Sequence, residues 1–167
     1  MKTLVIYYSY APGNTRKIAR QIAESLQADL EEISLVNDYT EDFDGVVARG
    51  YQEVQSGYMP EIKPLSVKLS DYDTIILGTP VWHMHYSPAM KSFLSKNSLA
   101  EKKLYLFATN AGWLGSTMKE MERDAKGATI CGTLNVVYNA ARSSLDQMKT
   151  SKSEIEHFIE NIKKKLG

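Results

Sequence analysis

A short segment rich in hydroxyl-bearing and small residues, Ser9–Thr15, follows the first apolar run of the chain and precedes the first helical pattern. Hydroxyls, a glycine and the free backbone N–H groups at a helix start together form an anion site. The segment lacks the spacing of a P-loop, and no GxGxxG dinucleotide fingerprint occurs in the chain. It therefore predicts a site for a single phosphate. The alternative is an ordinary helix start, in which Asn14 or Thr15 caps the helix and Gly13 makes the turn.

Two further segments combine a tryptophan with small or aromatic residues, Gly78–Tyr86 and Ala108–Ser116. An aromatic face in a loop can stack on a planar ring system, so Trp82 and Trp113 indicate a flat ligand. The alternative for Trp82 is that its indole fills a gap above a sheet. Two histidines of the first segment are spaced like a metal-binding pair, but no third ligand is evident and we predict no metal site. One phosphate segment and two aromatic segments together predict a phosphorylated planar cofactor.

Alternating strand and helix patterns must position these segments. Short apolar runs predict strands buried on both faces, and a weaker run with two glutamates predicts an edge strand. Strands that alternate with helices form a parallel sheet covered on both faces, with ligands bound beyond the carboxyl ends of the strands. The predicted strands are Leu4–Tyr8, Leu30–Ile33, Thr74–Leu77, Leu104–Ala108 and Leu134–Tyr138. The predicted helices cover residues 15–28, 44–56, a segment beginning at Ser87-Pro88, 116–125 and 151–166.

The composition is that of one globular domain, which we expect to cover residues 1–167. The 20 basic and 20 acidic residues give a net charge of zero, which argues against a nucleic-acid binder that works by bulk positive charge. No apolar run approaches the length of a membrane span, so we expect no membrane partner and a cytoplasmic protein. The single cysteine, Cys131, excludes an intrachain disulfide, and we interpret it as a small buried residue just before the fifth strand.

The chain resembles flavodoxin-like proteins that bind flavin mononucleotide (FMN). The resemblance covers essentially the whole chain and includes the helical segment around Gly50–Glu53. It rests on three stretches, Tyr7–Ser9 with Gly13–Thr15, Tyr72–Trp82, and Phe107–Gly112. It implies a doubly wound α/β fold with five parallel strands in the order 2-1-3-4-5 and helices on both faces.

The resemblance also implies which residues hold FMN, carried over segment by segment. The phosphate segment would contribute Ser9, Tyr10, Ala11, Gly13, Asn14 and Thr15. The segment after the third strand would bracket the isoalloxazine ring with Pro80, Val81, Trp82 and His83. The segment after the fourth strand would supply backbone contacts and a second wall through Thr109, Asn110, Ala111, Gly112 and Trp113.

Three functions are compatible with this reading. The first is a one-electron carrier, in which the protein tunes the flavin by hydrogen bonds, charge and stacking. The second is an NAD(P)H-dependent quinone or nitro reductase of the same fold, in which His83, His85 and Tyr86 are candidate proton donors. The third is a non-redox FMN sensor or interaction module.

Charge bears on the choice, because strongly acidic surfaces steer carrier flavodoxins to basic partners. This chain has no net charge, although five acidic residues close in sequence form either a local acidic patch or a solvated edge: Glu31, Glu32, Glu41, Asp42 and Asp44. We expect an FMN-binding flavodoxin-like redox protein, with the electron carrier ahead of the reductase. Its partners would be redox proteins or a small-molecule acceptor such as a quinone, and we expect a monomer or a homodimer.

Overall fold

The computed structural model of the chain describes residues 2–10, 13–139 and 147–167. Its strands are β1 (Thr3–Tyr7), β2 (Asp29–Glu32), β3 (Thr74–Trp82), β4 (His85–Tyr86), β5 (Lys103–Asn110) and β6 (Thr129–Val137). Its helices are α1 (Asn14–Leu26), α2 (Phe43–Ser56), α3 (Pro88–Lys96), α4 (Thr117–Asp124) and α5 (Lys152–Leu166), with a short 3-10 helix at Leu69–Asp71. Each of the five predicted helical segments corresponds to one of these α-helices, with ends that differ by at most two residues where the prediction gave bounds.

The strands form one sheet in the order β2-β1-β3-β5-β6, with every neighbouring pair parallel. This confirms the predicted order of five parallel strands. The structure adds one element, the two-residue strand β4, which pairs antiparallel with the end of β3.

Helices cover both faces of the sheet, and alternate residues of each strand face opposite sides. In β1, Val5 packs with residues of α1 and α5, whereas Leu4 packs with residues of α3 and α4. All five residues of β1 are buried, which explains why its sequence is continuously apolar rather than alternating.

Side-chain caps fix the starts of three helices. Asp42 accepts from the Gly45 N–H at 2.8 Å, and Ser87 accepts from the Met90 N–H at 3.4 Å. Ser151 and Glu154 form a capping box at α5, as their spacing predicts. The sequence thus indicates the starts of α3 and α5 directly, because capping depends on neighbouring residues.

Two predictions are corrected. The segment after Leu77 is not a loop, because β3 continues to Trp82 and turns back through β4. Cys131 is neither buried nor ahead of the last strand. It lies within β6 and is exposed, because β6 begins with alternating rather than continuous burial.

Candidate functional site

A cleft of about 450 Å³ opens at the carboxyl ends of β1, β3 and β5. Ligand sites of open α/β sheets lie at this edge, beyond the strand ends. Eleven residues predicted for the cofactor site line it: Tyr10, Asn14, Thr15, Pro80, Val81, Trp82, His83, Thr109, Asn110, Ala111 and Trp113. Five residues that were not predicted line it too: Phe43, Val46, Val47, Met84 and Tyr138.

Three of the remaining predicted residues, Ser9, Gly13 and Gly112, do not line the cleft, and the fourth falls outside the described part of the chain. Ser9 accepts a hydrogen bond from the Arg16 N–H at 3.3 Å, which ties the segment to α1. Gly13 forms the turn into α1 with a positive φ of 92°, and Gly112 shapes the loop after β5. Ala11 lies outside the described residues.

The start of α1 meets the cleft with a cap residue, Gly13, that has no side chain, and the first turn contains no acidic residue. Gly13, rather than Asn14 or Thr15, occupies the cap position. The Asn14 Oδ1 atom is buried and has no hydrogen-bond partner within the described residues. A buried polar atom without a partner is costly, so this end of the cleft is suited to a ligand that carries hydrogen-bond donors as well as an anionic group.

Two buried threonines join the first and third segments at the floor of the cleft. The hydroxyls of Thr15 and Thr109 lie 2.7 Å apart and share a hydrogen bond. Asn110 then organises the following loop, since its Oδ1 accepts from the Gly112 N–H at 2.8 Å and its Nδ2 donates to Asn135 at 2.6 Å. The loop therefore has a fixed start beside α1.

Trp82 forms one wall of the cleft and is packed by tyrosines behind it. Its ring centroid lies 5.2 Å from that of Tyr39, 6.2 Å from Tyr10 and 6.3 Å from Tyr8. The gap-filling alternative is therefore correct for part of the indole, while another part lines the cleft. Trp113, in contrast, is 71% exposed at the cleft rim.

A hydrogen-bonded ion pair fixes the aromatic cluster to α2. The Tyr39 hydroxyl donates to Glu53 at 2.6 Å, and Arg49 Nε donates to the same carboxylate at 3.0 Å. The Arg49 guanidinium also lies 4.8 Å from the centre of the Tyr39 ring, within cation–π range. Burial, followed by the bond to Glu53, raises the pKa of Tyr39 well above its usual range. The phenol is therefore held neutral against Trp82.

The two histidines of the β3–β4 hairpin form hydrogen bonds with different helices. His83 Nε2 lies 2.8 Å from the Val47 carbonyl of α2 and must carry the hydrogen, because a carbonyl only accepts. His85 Nδ1 lies 2.8 Å from Glu120 of α4. The histidines therefore do not form a metal pair, and the described residues contain no group of three metal-ligating side chains.

Tyr86 lies outside the cleft, beside His85. Its hydroxyl donates to Asp124 at 2.5 Å, and burial raises its pKa well above the usual range. His85 and Tyr86 thus attach the hairpin to α4. Of the three candidate proton donors, only His83 lines the cleft.

No Lys, Arg, Asp or Glu lines the cleft within the described residues. Three acidic residues of the predicted patch also have partners. Glu31 is buried and accepts from the Ser66 N–H at 2.8 Å, Glu32 pairs with Arg16 at 2.6 Å, and Glu41 pairs with Arg49 at 2.9 Å. Arg16 and Arg49 therefore offset part of the negative charge in this region, whereas the bonds from Ser66 leave the charge of Glu31 in place.

Sequence reasoning missed the α2 side of the cleft. Phe43, Val46 and Val47 lie on one helical face, and their spacing is an amphipathic signal that could have been used. Nothing local to α2 indicates that this face meets the cleft, since that depends on how the helix packs beside β3.

Comparison with known proteins gives one family and several similar structures. A family model described as flavodoxin matches residues 2–162. An uncharacterized protein of Methanocaldococcus jannaschii is 30% identical over 137 residues, which cover 79% of this chain and 72% of that protein.

The structure of a flavoprotein from Lactobacillus acidophilus in complex with FMN is similar, with a TM-score of 0.70 and 26% identity over 80% of this chain and 92% of that one. A flavoprotein structure from Bacteroides eggerthii has a TM-score of 0.77 at 23% identity and covers 97% of this chain and 98% of that one. The second similarity bears on the fold alone.

Proposed function

The chain belongs to the flavodoxin family, and from this premise we propose that it binds FMN in the cleft and passes electrons through the bound flavin. The observation that carries the proposal is the meeting of three features in one cleft. These are a helix start that has glycine at its cap and no acidic residue in its first turn, a packed tryptophan wall and a second, exposed tryptophan.

The start of α1 fits the phosphate and the ribityl chain. The first turn of α1 contains no acidic residue, and of its N–H groups only that of Arg16 has a side-chain acceptor, Ser9, within the described residues. The other N–H groups of such a turn attract a phosphate. Phosphate oxygens do not satisfy the buried Asn14 Oδ1, but a ribityl hydroxyl supplies the hydrogen-bond donor it lacks. The residues present therefore suit a phosphorylated polyol.

The rest of the cleft fits the flavin ring. Apolar side chains from α2, the hairpin and the loop after β5 surround it, and Trp82 and Trp113 offer aromatic surfaces to a planar heterocycle. When bound, FMN supplies reversible electron transfer, and the chain supplies binding and tuning. Because no positive side chain lines the cleft within the described residues, this environment disfavours extra negative charge on the ring and lowers its reduction potential.

We favour an electron carrier that exchanges electrons with redox partner proteins. A carrier needs a held flavin and no general acid, and two of the three candidate proton donors are engaged with α4 outside the cleft.

A second candidate is an NAD(P)H-dependent reductase that delivers electrons to a small acceptor such as a quinone. One observation favours it. His83 lines the open cleft beside the exposed Met84 and Trp113, and its Nδ1 is not used in the bond to Val47. In the neutral imidazole this nitrogen accepts a hydrogen bond or a proton, and it donates to an oxygen of a small molecule only when the ring is protonated.

The absorption spectrum of the purified protein, before and after addition of FMN, tests the proposal. We expect flavin bands, or saturable FMN uptake with quenched flavin fluorescence. A protein without flavin that also takes up no added FMN would contradict the proposal.

Stopped-flow mixing of the FMN-loaded protein with NADH or NADPH separates the two candidates. Rapid bleaching of the flavin by the nucleotide alone supports the reductase. Bleaching that requires an added flavoprotein reductase supports the carrier.

A further inference from the structure

Helix α2 lies against the Trp82 indole at Gly50, a residue that has no side chain. A Cβ atom built on Gly50 would lie 2.9 Å from Cε3 and 3.2 Å from Cζ3 of Trp82. Carbon atoms in ordinary contact are about 3.5–4.0 Å apart, so even a methyl group does not fit. Glycine in a helix interior is less stable than alanine. The close contact with the Trp82 indole explains why position 50 accommodates glycine in spite of this cost.

The indole is enclosed on several of its other sides. Tyr8, Tyr10 and Tyr39 contact it, and Tyr39 is itself held by Glu53, a residue of the same helix as Gly50. The cleft is the open side. A side chain at position 50 would therefore displace the indole toward the cleft, into the space for the ligand ring.

We propose that Gly50 is a positioning residue for the cofactor ring, because its missing side chain lets Trp82 lie on the α2 backbone and so sets the width of the cleft. The inference rests on the proposed function and adds a determinant of ring recognition. The proposed effect of Gly50 is on binding of the flavin ring and not of the phosphate, since the atoms nearest to a Cβ at position 50 all belong to Trp82 and none to α1, which would hold the phosphate.

The substitution Gly50→Ala in the full chain tests this role. We expect the dissociation constants of FMN and of riboflavin, which lacks the phosphate, to rise by the same factor of roughly ten, as an overpacked contact typically produces. Gln52→Ala, an exposed position on the same helix, is the control and should bind both flavins like the wild type. A loss of FMN affinity without a loss of riboflavin affinity would overturn the inference.

A smaller ring at position 82 should remove the conflict. In a Trp82→Phe background, adding Gly50→Ala should change the FMN dissociation constant by less than about twofold, because coupled positions deviate from additivity. The same tenfold loss in both backgrounds would mean that position 50 acts on the cleft by another route. Thermal unfolding of each apo variant checks that it folds.

The emission of Trp82 gives a readout that requires no flavin. In a Trp113→Phe background the remaining indole is Trp82, and Gly50→Ala should shift its emission maximum to longer wavelength as the ring moves toward the open cleft. If the wild type binds no flavin, the proposed function fails and this shift still decides the role of Gly50. If the wild type binds FMN and the variant matches it in affinity and emission, only the present inference fails.

Discussion

At the scale of single residues, the two tryptophans of the cleft have different physical roles. Trp82 contacts three tyrosine rings and the backbone of α2, so its position is fixed before any ligand arrives. Trp113 is 71% exposed and contributes a surface at the rim. A side chain that is already packed loses little conformational entropy when a ligand binds, whereas an exposed side chain loses more because the ligand must order it.

Alanine substitutions should separate these roles. Trp82→Ala should lower the free energy of unfolding of the apo protein by about 2–4 kcal/mol, because it leaves a cavity in a packed cluster. It should also weaken FMN binding by about 1–3 kcal/mol, by analogy with base–aromatic stacking. Trp113→Ala should leave the free energy of unfolding within about 0.5 kcal/mol of the wild type and reduce only flavin affinity. Urea denaturation and flavin titration measure the two effects, and equal stability losses would contradict the assignment.

At the scale of elements, the β3–β4 hairpin is a wall held from both sides. On one side His83 bonds to the Val47 carbonyl of α2. On the other, the Met84 carbonyl accepts from the Ser116 N–H at 3.0 Å, and His85 and Tyr86 bond to α4. Both turn residues have positive φ, which non-glycine residues rarely adopt, so these tertiary bonds hold a turn that the local sequence does not favour.

Gly115 is the tightest contact of this arrangement and gives a prediction. A Cβ atom there would lie 2.3 Å from both the carbonyl oxygen and the Cβ of Met84, at a positive φ of 56°. Gly115→Ala should therefore lower the free energy of unfolding by about 2–4 kcal/mol, from clash and backbone strain together.

Gly112→Ala is the matched control in the same loop. Gly112 also has a positive φ, but a Cβ there would meet nothing within 4 Å. This variant should lose only the strain contribution of about 1–2 kcal/mol. Equal losses for the two variants in urea denaturation would mean that the contact with Met84 contributes nothing.

The cap of α5 supplies a second prediction at this scale. Ser151 accepts from the Glu154 N–H at 3.2 Å, and the Glu154 carboxylate accepts from the Ser151 N–H at 2.8 Å. Ser151→Ala should cost about 1 kcal/mol of stability. Ser153→Ala, two residues further along the exposed start of the helix, should cost less, because the Ser153 hydroxyl bonds to the Ser151 hydroxyl and is not the acceptor of the cap. Thermal denaturation of both variants compares them.

At the scale of the whole molecule, buried and half-buried tyrosines make the free energy of unfolding depend on pH above about 10. Burial raises the pKa of Tyr8, Tyr39 and Tyr86 above the ordinary value of 10.0, and a hydrogen bond to Asp29 raises the pKa of Tyr72 to about 12. A raised pKa in the folded state means that the stability contribution is complete below pH 10 and is lost as the pH rises, since the unfolded chain ionises first.

The free energy of unfolding should therefore fall between pH 10 and pH 12, by about 1.4 kcal/mol per pH unit for each such tyrosine. Urea denaturation at a series of pH values measures the slope, and tyrosinate absorbance should appear together with loss of the circular-dichroism signal. Tyr86→Phe should reduce the slope. A constant free energy of unfolding up to pH 12 would contradict the prediction.

Charge gives the second prediction for the whole molecule and rests on the proposed carrier role. The chain has zero net charge, and Arg16 and Arg49 pair with Glu32 and Glu41. Long-range steering should therefore be weak. The rate of electron exchange with a reductase should change less than about threefold between low and physiological ionic strength. A steep fall with added salt would indicate a charged docking surface.

The sequence by itself indicated five of the six strands and the five α-helices of the described residues, in their order along the chain. Continuous apolar runs marked strands buried on both faces, capping residues marked the starts of α3 and α5, and hydroxyl and aromatic segments marked the strand ends that meet at the cleft. These features are readable because burial periodicity and capping depend on residues that are close in sequence.

Only the tertiary structure decided what surrounds the cleft. The hairpin after β3 was missed because its turn residues, His83 and Met84, carry no turn signal and are held by α2 and α4. Cys131 was misplaced because the exposed start of β6 lacks an apolar run. The contact of Gly50 with Trp82 joins residues far apart in the chain, and such contacts follow from the packing of whole elements. Local sequence therefore indicated most of the segments that line the cleft, and packing set the shape of its walls.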